Sequence, residues 1–346
     1  MTRIAYNGRV LLFPTTGVAK RLLALSSRIA RRPGVECLAY VQRPVSPPGG
    51  EHFRYRVVRF PIEAIWAEYL VPRQLAREGV SLYHSPWSGG LSAALKPCPY
   101  VLTLHDLIPL EAGALRNALR RAGYLRRIAA NVAQADVVIA VSRYVRDSLL
   151  RYFPQAHGKV EVIYNGVDPA LRLPDHASAR EAWHRQVGGD YLLYVGGFGR
   201  RKNVETLLRA FAACGLEELR LVLVGHQNRY YRRFLAPLIR QLGIGERVVA
   251  PGYEPEERLA AYYTFARALV YPSLHEGFGM PPVEAMACGC PAVTHNASAL
   301  PEVTAGAALM VNAADLTALT QAIRTVATEE DVRQSLIERG KEVAAR

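Results

Sequence analysis

The sequence predicts an α/β protein built as two Rossmann-like domains, each around a parallel sheet. Short apolar segments that read as buried strands alternate with amphipathic helical segments along almost the whole chain. Glycines stand at several strand-to-helix turns, where a residue without Cβ lets the backbone bend tightly. At 346 residues the chain exceeds what one hydrophobic core usually fills, so two domains are expected. In sheets of this kind, ligands bind at the loops beyond the carboxyl ends of the strands.

Composition narrows the classes further. Half of the residues are hydrophobic and 21% are charged, which is ordinary for a soluble globular chain. No apolar run reaches the ~18 residues of a membrane span, and the opening Met1-Thr2-Arg3-Ile4-Ala5-Tyr6 lacks a signal-peptide pattern. Five cysteines are scattered, and Cys288-Gly289-Cys290 lacks the spacing of a zinc site, so a reducing cytoplasm is the expected compartment. The net charge of +13 is unevenly placed: residues 1–165 hold 23 Lys and Arg against 10 Asp and Glu, whereas the remainder holds 20 of each. An anionic partner for the first half follows, whether nucleic acid, a phospholipid surface or a phosphorylated acceptor. No nucleic-acid recognition motif accompanies the charge, so nucleic acid is not expected.

Residues 9–13 read as the first strand, with a start as early as Ile4. Gly17 follows in the turn before a helix with Leu22, Leu23, Leu25 and Ile29 on its apolar side. Strands are expected at 35–40 and 55–59, and Ser46-Pro47-Pro48-Gly49-Gly50 between them has turn composition. Residues 82–85 and 100–104 are further strands, and the latter delivers His105-Asp106 at its carboxyl end. Residues 115–134 have apolar positions at 115, 119, 125, 128 and 132, with Arg116, Arg120, Arg121, Arg126 and Arg127 as a basic face. That face suits an anionic membrane surface or the solvated side of an ordinary packing helix. A buried strand then ends at Ser142, which caps a helix over 143–152, and residues 159–168 close the first half. The expected organisation is a domain over 1–168, a linker over 169–189 and a second domain over 190–346.

The second half opens with a strand at 191–195 ending at Gly196-Gly197. A basic loop, Arg200-Arg201-Lys202-Asn203, leads into a helix at 204–212. Fixed positive charge between strand and helix suits a departing diphosphate. Strands at 220–224 and 248–252 follow, then a helix at 257–265. Residues 268–291 are the most informative stretch: Ala-Leu-Val-Tyr-Pro-Ser-Leu-His-Glu-Gly-Phe-Gly-Met-Pro-Pro-Val-Glu-Ala-Met-Ala-Cys-Gly-Cys-Pro. A short buried strand runs into a glycine loop and then a helix that starts near Pro281 and Pro282. Glu276 is thus expected just past the strand end, and Glu284 in the first helical turn. The helix N-terminus offers free N–H groups and a positive dipole end to a phosphate. Carboxylates flanking such a site are suited to sugar hydroxyls rather than to the anion.

Glu276 and Glu284, eight positions apart within Glu-Gly-Phe-Gly-Met-Pro-x-x-Glu-Ala-Met-Ala-x-Gly, resemble the paired-glutamate motif of retaining glycosyltransferases of the large GT4-like group. The resemblance runs from Gly17 to about Gly340. It implies the GT-B fold, in which two Rossmann-like domains with parallel sheets face an inter-domain cleft. The donor would be a nucleotide-diphosphate sugar and the acceptor a glycan or lipid-linked molecule. Implied roles are Glu284 on the ribose hydroxyls, Glu276 with the Gly277-Phe278-Gly279 backbone on the donor sugar, and Lys202, Arg201 and the helix after Met280 on the diphosphate. Gly17 would approach the acceptor or the donor phosphates. Gly197 stands where many relatives carry arginine, and Arg200 is read as solvated. His105 would hydrogen-bond a donor hydroxyl, while Asp106 either orients its ring or caps the following turn.

No cofactor and no metal are expected, there being no Asp-x-Asp pair. The Arg-Lys-Asn loop resembles a subgroup that points to a GDP-sugar, mannose first, with UDP-sugars second. Related enzymes act on lipid-linked acceptors, which adds a peripheral position on the inner membrane face to the expectation. Relatives usually continue with a helix crossing back onto the first domain, and the resemblance leads to the expectation that its later part is missing here. Two rival functions share the fold: a sugar-nucleotide epimerase, which would carry further acid/base residues, and a non-catalytic membrane-associated scaffold that binds sugar nucleotides.

Overall fold

The structure, a computed structural model, describes residues 1–45, 53–113, 115, 117–168, 171 and 177–345. The expected turn at 46–50, Arg116 and most of the first half of the expected linker lie outside the described residues. Two compact units divide the chain, Met1–Asn165 and Gly166–Arg346.

The first unit is built on a seven-stranded sheet of β1 Thr2–Asn7, β2 Val35–Val41, β3 Phe53–Val57, β4 Leu82–Ser85, β5 Tyr100–Leu104, β6 Val137–Ala140 and β7 Val160–Val162. Their spatial order is β3-β2-β1-β4-β5-β6-β7, and every pair is parallel. Successive strands therefore need crossover connections, which carry the helices over the sheet faces. Residues 38–41 of β2 are all buried, as covered faces require. The order reverses between β1 and β4, which makes the carboxyl edge there the natural ligand crevice of this unit.

The first strand corrects the sequence reading. It occupies Thr2–Asn7, and residues 8–12 form a 3₁₀ turn, although 9–13 looked strand-like. Gly8 follows at a close approach of two strands: a Cβ there would lie 2.7 Å from Tyr40 O and 2.6 Å from Val41 Cγ1, so glycine is required at the end of β1. Thr16 then caps the helix Gly17–Ala30, its side chain accepting from Ala19 N–H. The helical segment over 63–77 was not anticipated, yet it buries Trp66 completely. The basic helix spans Ala118–Gln134 and buries Ile128, Asn131 and Val132, but Leu119 is 83% exposed rather than packed. Ser142 caps Arg143–Tyr152, accepting from Val145 N–H at 3.1 Å.

The second unit holds a six-stranded parallel sheet of β8 Tyr191–Val195, β9 Arg220–Val224, β10 Val248–Gly252, β11 Ala268–Tyr271, β12 Ala292–His295 and β13 Ala308–Val311. Its order is β10-β9-β8-β11-β12-β13, so the switch point lies between β8 and β11. Every residue of β8, β11 and β12 is buried. β13 escaped the sequence reading. Two helices, Leu316–Thr328 and Glu330–Ala345, complete the unit. The last buries Leu336 and sets Gly340 against Met286, where an added Cβ would be 3.0 Å from Met286 Cγ.

Candidate active site

The switch point of the second sheet gathers the charged residues singled out in the sequence. β8 ends at Val195, and the loop beyond it turns through a 3₁₀ segment, Arg200–Lys202. β11 ends at Tyr271, and its loop carries Ser273 and Glu276. The two loops are tied by Leu274 N–H donating to Arg201 O at 3.0 Å. On that frame one carboxylate oxygen, Glu276 Oε1, receives three hydrogen bonds, from Lys202, Ser273 and Tyr271, and an ion pair with Arg201. Lys202 Nζ lies at 2.5 Å, Ser273 Oγ at 2.6 Å, Arg201 Nη1 at 2.8 Å and Tyr271 OH at 2.8 Å. Lys202 Nζ also donates to Tyr271 OH at 2.8 Å, and Arg201 donates to His275 O.

These contacts fix Glu276 and set its charge state. The residue is 8% exposed, and burial pushes its carboxyl up. Lys202 first, then Arg201, more than offset that effect, so the group sits below the usual carboxylate range and is ionised. Oε2 takes no hydrogen bond among the described residues. Glu276 N–H donates to Ser298 Oγ at 3.1 Å, which holds the loop backbone as well.

Gly277, Phe278 and Gly279 follow, all buried, and then the helix Met280–Ala287. Gly279 has φ +93°, and a Cβ there would lie 2.6 Å from Leu300 Cδ2, so glycine is required on both counts. Two expectations need correction. Pro281 and Pro282 lack N–H groups, so the first helical turn presents fewer donors to an anion than a helix end normally does. Glu284 lies just beyond the first turn, not within it, and Tyr263 OH donates to its Oε2 at 2.7 Å. Beyond β9 and β10, His226 and Tyr253 stack with ring centres 4.8 Å apart and an angle of 9°.

In the first unit, His105 follows β5 directly and its Nε2 lies 3.0 Å from Pro86 O. A carbonyl only accepts, so Nε2 carries the proton and Nδ1 is the acceptor. Burial, and then the nearby Arg21 cation, lower its pKa to about 4, so the ring is neutral. Asp106 Oδ1 accepts from Ile108 N–H at 3.1 Å, a capping contact for the turn that follows. His84, at the end of β4, is buried with Nε2 2.8 Å from Thr103 Oγ1, and burial lowers its pKa to about 3.

Placement of the remaining residues is direct. Gly197 and Arg200 are exposed, and no atom lies within 4 Å of a Cβ built at Gly197. Gly17 opens its helix at the carboxyl edge of the first sheet and is likewise exposed and uncrowded. Met280 is half-buried at its helix start. Lys202, Arg201 and Glu276 meet in one cluster, with Glu284 on the helix beyond. The sequence reading missed Tyr271, Ser273, Ser298 and Tyr263. The first two stand inside the 268–291 stretch, where polar side chains at a strand end were the available signal. Among the described residues, no group of three His, Cys, Asp or Glu is arranged to hold a metal ion.

Comparison with known proteins agrees with this architecture. The model of "Glycosyltransferase Family 4" matches residues 15–171, and that of "Glycosyl transferases group 1" matches residues 175–343. Among curated proteins, the chain is similar to O-antigen chain mannosyltransferase B of Escherichia coli, 31% identical over 215 residues, which is 60% of this chain. It spans 55% of that relative's length. Among solved structures, sucrose-phosphate synthase from Thermosynechococcus elongatus superposes with TM-score 0.81 at 24% identity, covering 100% of this chain and 94% of that one. HepE from Anabaena, in complex with UDP-glucose, gives TM-score 0.79 at 19% identity, covering 100% and 95%. With one family model on each unit and a two-sheet fold shared along its whole length with these structures, the chain belongs to the group 1, GT4-type glycosyltransferases and has their GT-B fold.

Proposed function

We propose that the chain is a retaining hexosyltransferase that moves mannose from GDP-mannose to a glycan or lipid-linked acceptor in cell-surface polysaccharide assembly, with no metal in the chemistry. The observation that carries this reading is the convergence on Glu276. Its Oε1 is saturated by Lys202, Arg201, Tyr271 and Ser273, so Oε2 is presented rigidly to accept from a donor-sugar hydroxyl. Glu284, one oxygen of which is held by Tyr263, accepts from the ribose hydroxyls. Lys202 and Arg201 supply fixed positive charge where the diphosphate leaves, the role a divalent cation fills elsewhere. His105, neutral and with Nδ1 as acceptor, takes a hydrogen bond from a donor hydroxyl.

In this reading the acceptor oxygen bonds to the anomeric carbon on the face from which the phosphate departs. The bond to phosphate breaks, and the acceptor's proton passes to a phosphate oxygen of the leaving group. The mannosyl donor rests on the Arg201-Lys202-Asn203 loop and on the E. coli mannosyltransferase relative. The HepE complex with UDP-glucose keeps UDP-sugars second. Membrane association is supported by the exposed Arg120, Arg126 and Arg127, the half-buried Arg121 and the 83% exposed Leu119 on the same helix. Arg116 belongs to the proposed face but lies outside the described residues. No described helix is long and apolar enough to cross a membrane.

The test is release of nucleoside diphosphate from GDP-mannose and UDP-sugars, with the anomeric configuration of the product read by NMR. Donor turnover with retention, abolished in Glu276→Ala, is expected. Undiminished transfer by Glu276→Ala, or an inverted product, refutes the assignment.

A further inference from the structure

Arg21 stands out in the first unit because its charge is half-buried and uncompensated. It lies on the helix Gly17–Ala30, whose side chains lean toward the helix start and hence toward the carboxyl edge of the sheet. Its one hydrogen bond among the described residues runs from Nη1 to Thr103 Oγ1 at 3.3 Å. No described carboxylate lies within ion-pair distance. Three other arginines of the same unit that are not fully exposed or lie at the sheet are paired by contrast: Arg3 with Glu36 at 2.7 Å, Arg56 with Glu78 at 3.0 Å, and Arg9 with Glu63. Around Arg21 the polar neighbours supply no negative charge. Thr103 is fully buried and bonded to His84, and both His84 and His105 feel the Arg21 cation and remain neutral.

A guanidinium withdrawn from water without an acid is costly to the fold. Four of its five N–H donors are left without a described partner, in a fork that matches two oxygens at once. It sits beside β4 and β5, at the sheet edge where ligands bind. We propose that Arg21, seated on Thr103, binds a phosphoryl group carried by the acceptor. This inference rests on the glycosyltransferase reading above. The donor's diphosphate has its own cations, Lys202 and Arg201, in the second unit, which leaves Arg21 for a second anion. Such a group comes either from a soluble sugar phosphate or from a lipid phosphate.

The experiment is thermal unfolding of the full chain, held with a saturating nucleoside diphosphate and titrated with inorganic phosphate at constant ionic strength. Parent, Arg21→Gln and Arg21→Lys are compared. Phosphate should raise the parent's midpoint, and its apparent affinity should fall about tenfold or more in Arg21→Gln but largely survive in Arg21→Lys. Without phosphate, Arg21→Gln should unfold no lower than the parent, because an unpaired charge has been removed. A phosphate response equal in parent and Arg21→Gln, no response in the parent, or a markedly lowered ligand-free midpoint overturns the proposal. The parent's response to the nucleotide itself reports separately on the glycosyltransferase reading. Co-sedimentation with phosphatidylcholine vesicles, with and without phosphatidic acid, distinguishes the sources. Phosphatidate-dependent binding lost in Arg21→Gln identifies a lipid phosphate, and vesicle binding indifferent to Arg21 beside an altered phosphate titration identifies a soluble one.

Discussion

Replacing Lys202 by methionine keeps the side chain's bulk and deletes its charge. Lys202 Nζ lies 2.5 Å from Glu276 Oε1 and 2.8 Å from Tyr271 OH, and the two charged side chains are 16% and 11% exposed. Removing one partner of a buried ion pair costs about 3–5 kcal/mol when the other is stranded. Here Arg201, Ser273 and Tyr271 stay on the carboxylate, so a smaller loss of about 2–3 kcal/mol is expected at pH 7, or roughly 5–10 °C in midpoint. Adding Glu276→Gln should recover much of it, since the stranded charge is then gone. The sign with pH follows from the lowered pKa of Glu276. A depressed carboxylate contributes stability that is present above its unfolded value of ~4.3 and lost as pH falls through its folded value. In Lys202→Met that depression shrinks, so the gap between parent and variant should narrow below about pH 4. Urea unfolding followed by hydrogen exchange on peptides of β8 and β11 reads the second unit separately. A variant as stable as the parent at pH 7, or strictly additive effects in the double variant, refutes the reasoning.

Burial and Arg21 hold His105 and His84 neutral, with pKa values of about 4 and about 3. Between ~6.5 and ~4 the unfolded chain takes up protons that the native rings refuse, so stability should fall with falling pH by about 1.4 kcal/mol per unit for each histidine. His105→Asn should remove one such slope from the first unit, and an unchanged slope contradicts it. Gly225→Ala places a Cβ 2.0 Å from Gly196 O and should destabilise the second unit by about 1–3 kcal/mol. Gly197→Ala, with nothing within 4 Å, should stay within about 0.5 kcal/mol of the parent, and similar midpoints for both variants contradict the close approach of Gly225 to Gly196 O. Tyr263→Phe removes the 2.7 Å bond to Glu284 and should weaken nucleotide binding about 5–10-fold by calorimetry. Unaltered affinity would separate Glu284 from the ribose.

Legibility in the sequence followed how local each signal was. The 268–291 stretch was readable because strand, glycine loop and helix are contiguous, and one segment positions Glu276, Gly279 and Glu284. The start of the chain misled because Val10-Leu11-Leu12-Phe13 is an apolar run, and such runs do not distinguish a strand from a packed turn. The approach of Tyr40 O that requires glycine at position 8 is a contact between residues far apart in sequence. Leu119 fits the helical period of its neighbours yet is exposed, because periodicity says which side a residue is on and not whether anything covers it. Tyr263 reaches Glu284 from another element, and Arg21 reaches Thr103 across 82 positions. Both belong to packing that a linear reading does not contain.

The central claim, a nucleotide-sugar site built on Glu276, Glu284, Lys202 and Arg201, is tested most directly by thermal unfolding with GDP, UDP, ADP and dTDP and their sugar conjugates, with and without chelator. At 100 times its dissociation constant a ligand stabilises the native state by about 2.7 kcal/mol, a shift of several degrees. The account predicts selective stabilisation by one nucleotide, GDP first, that survives chelation and is lost in Glu284→Ala. Midpoints unmoved by every nucleotide and conjugate would contradict it.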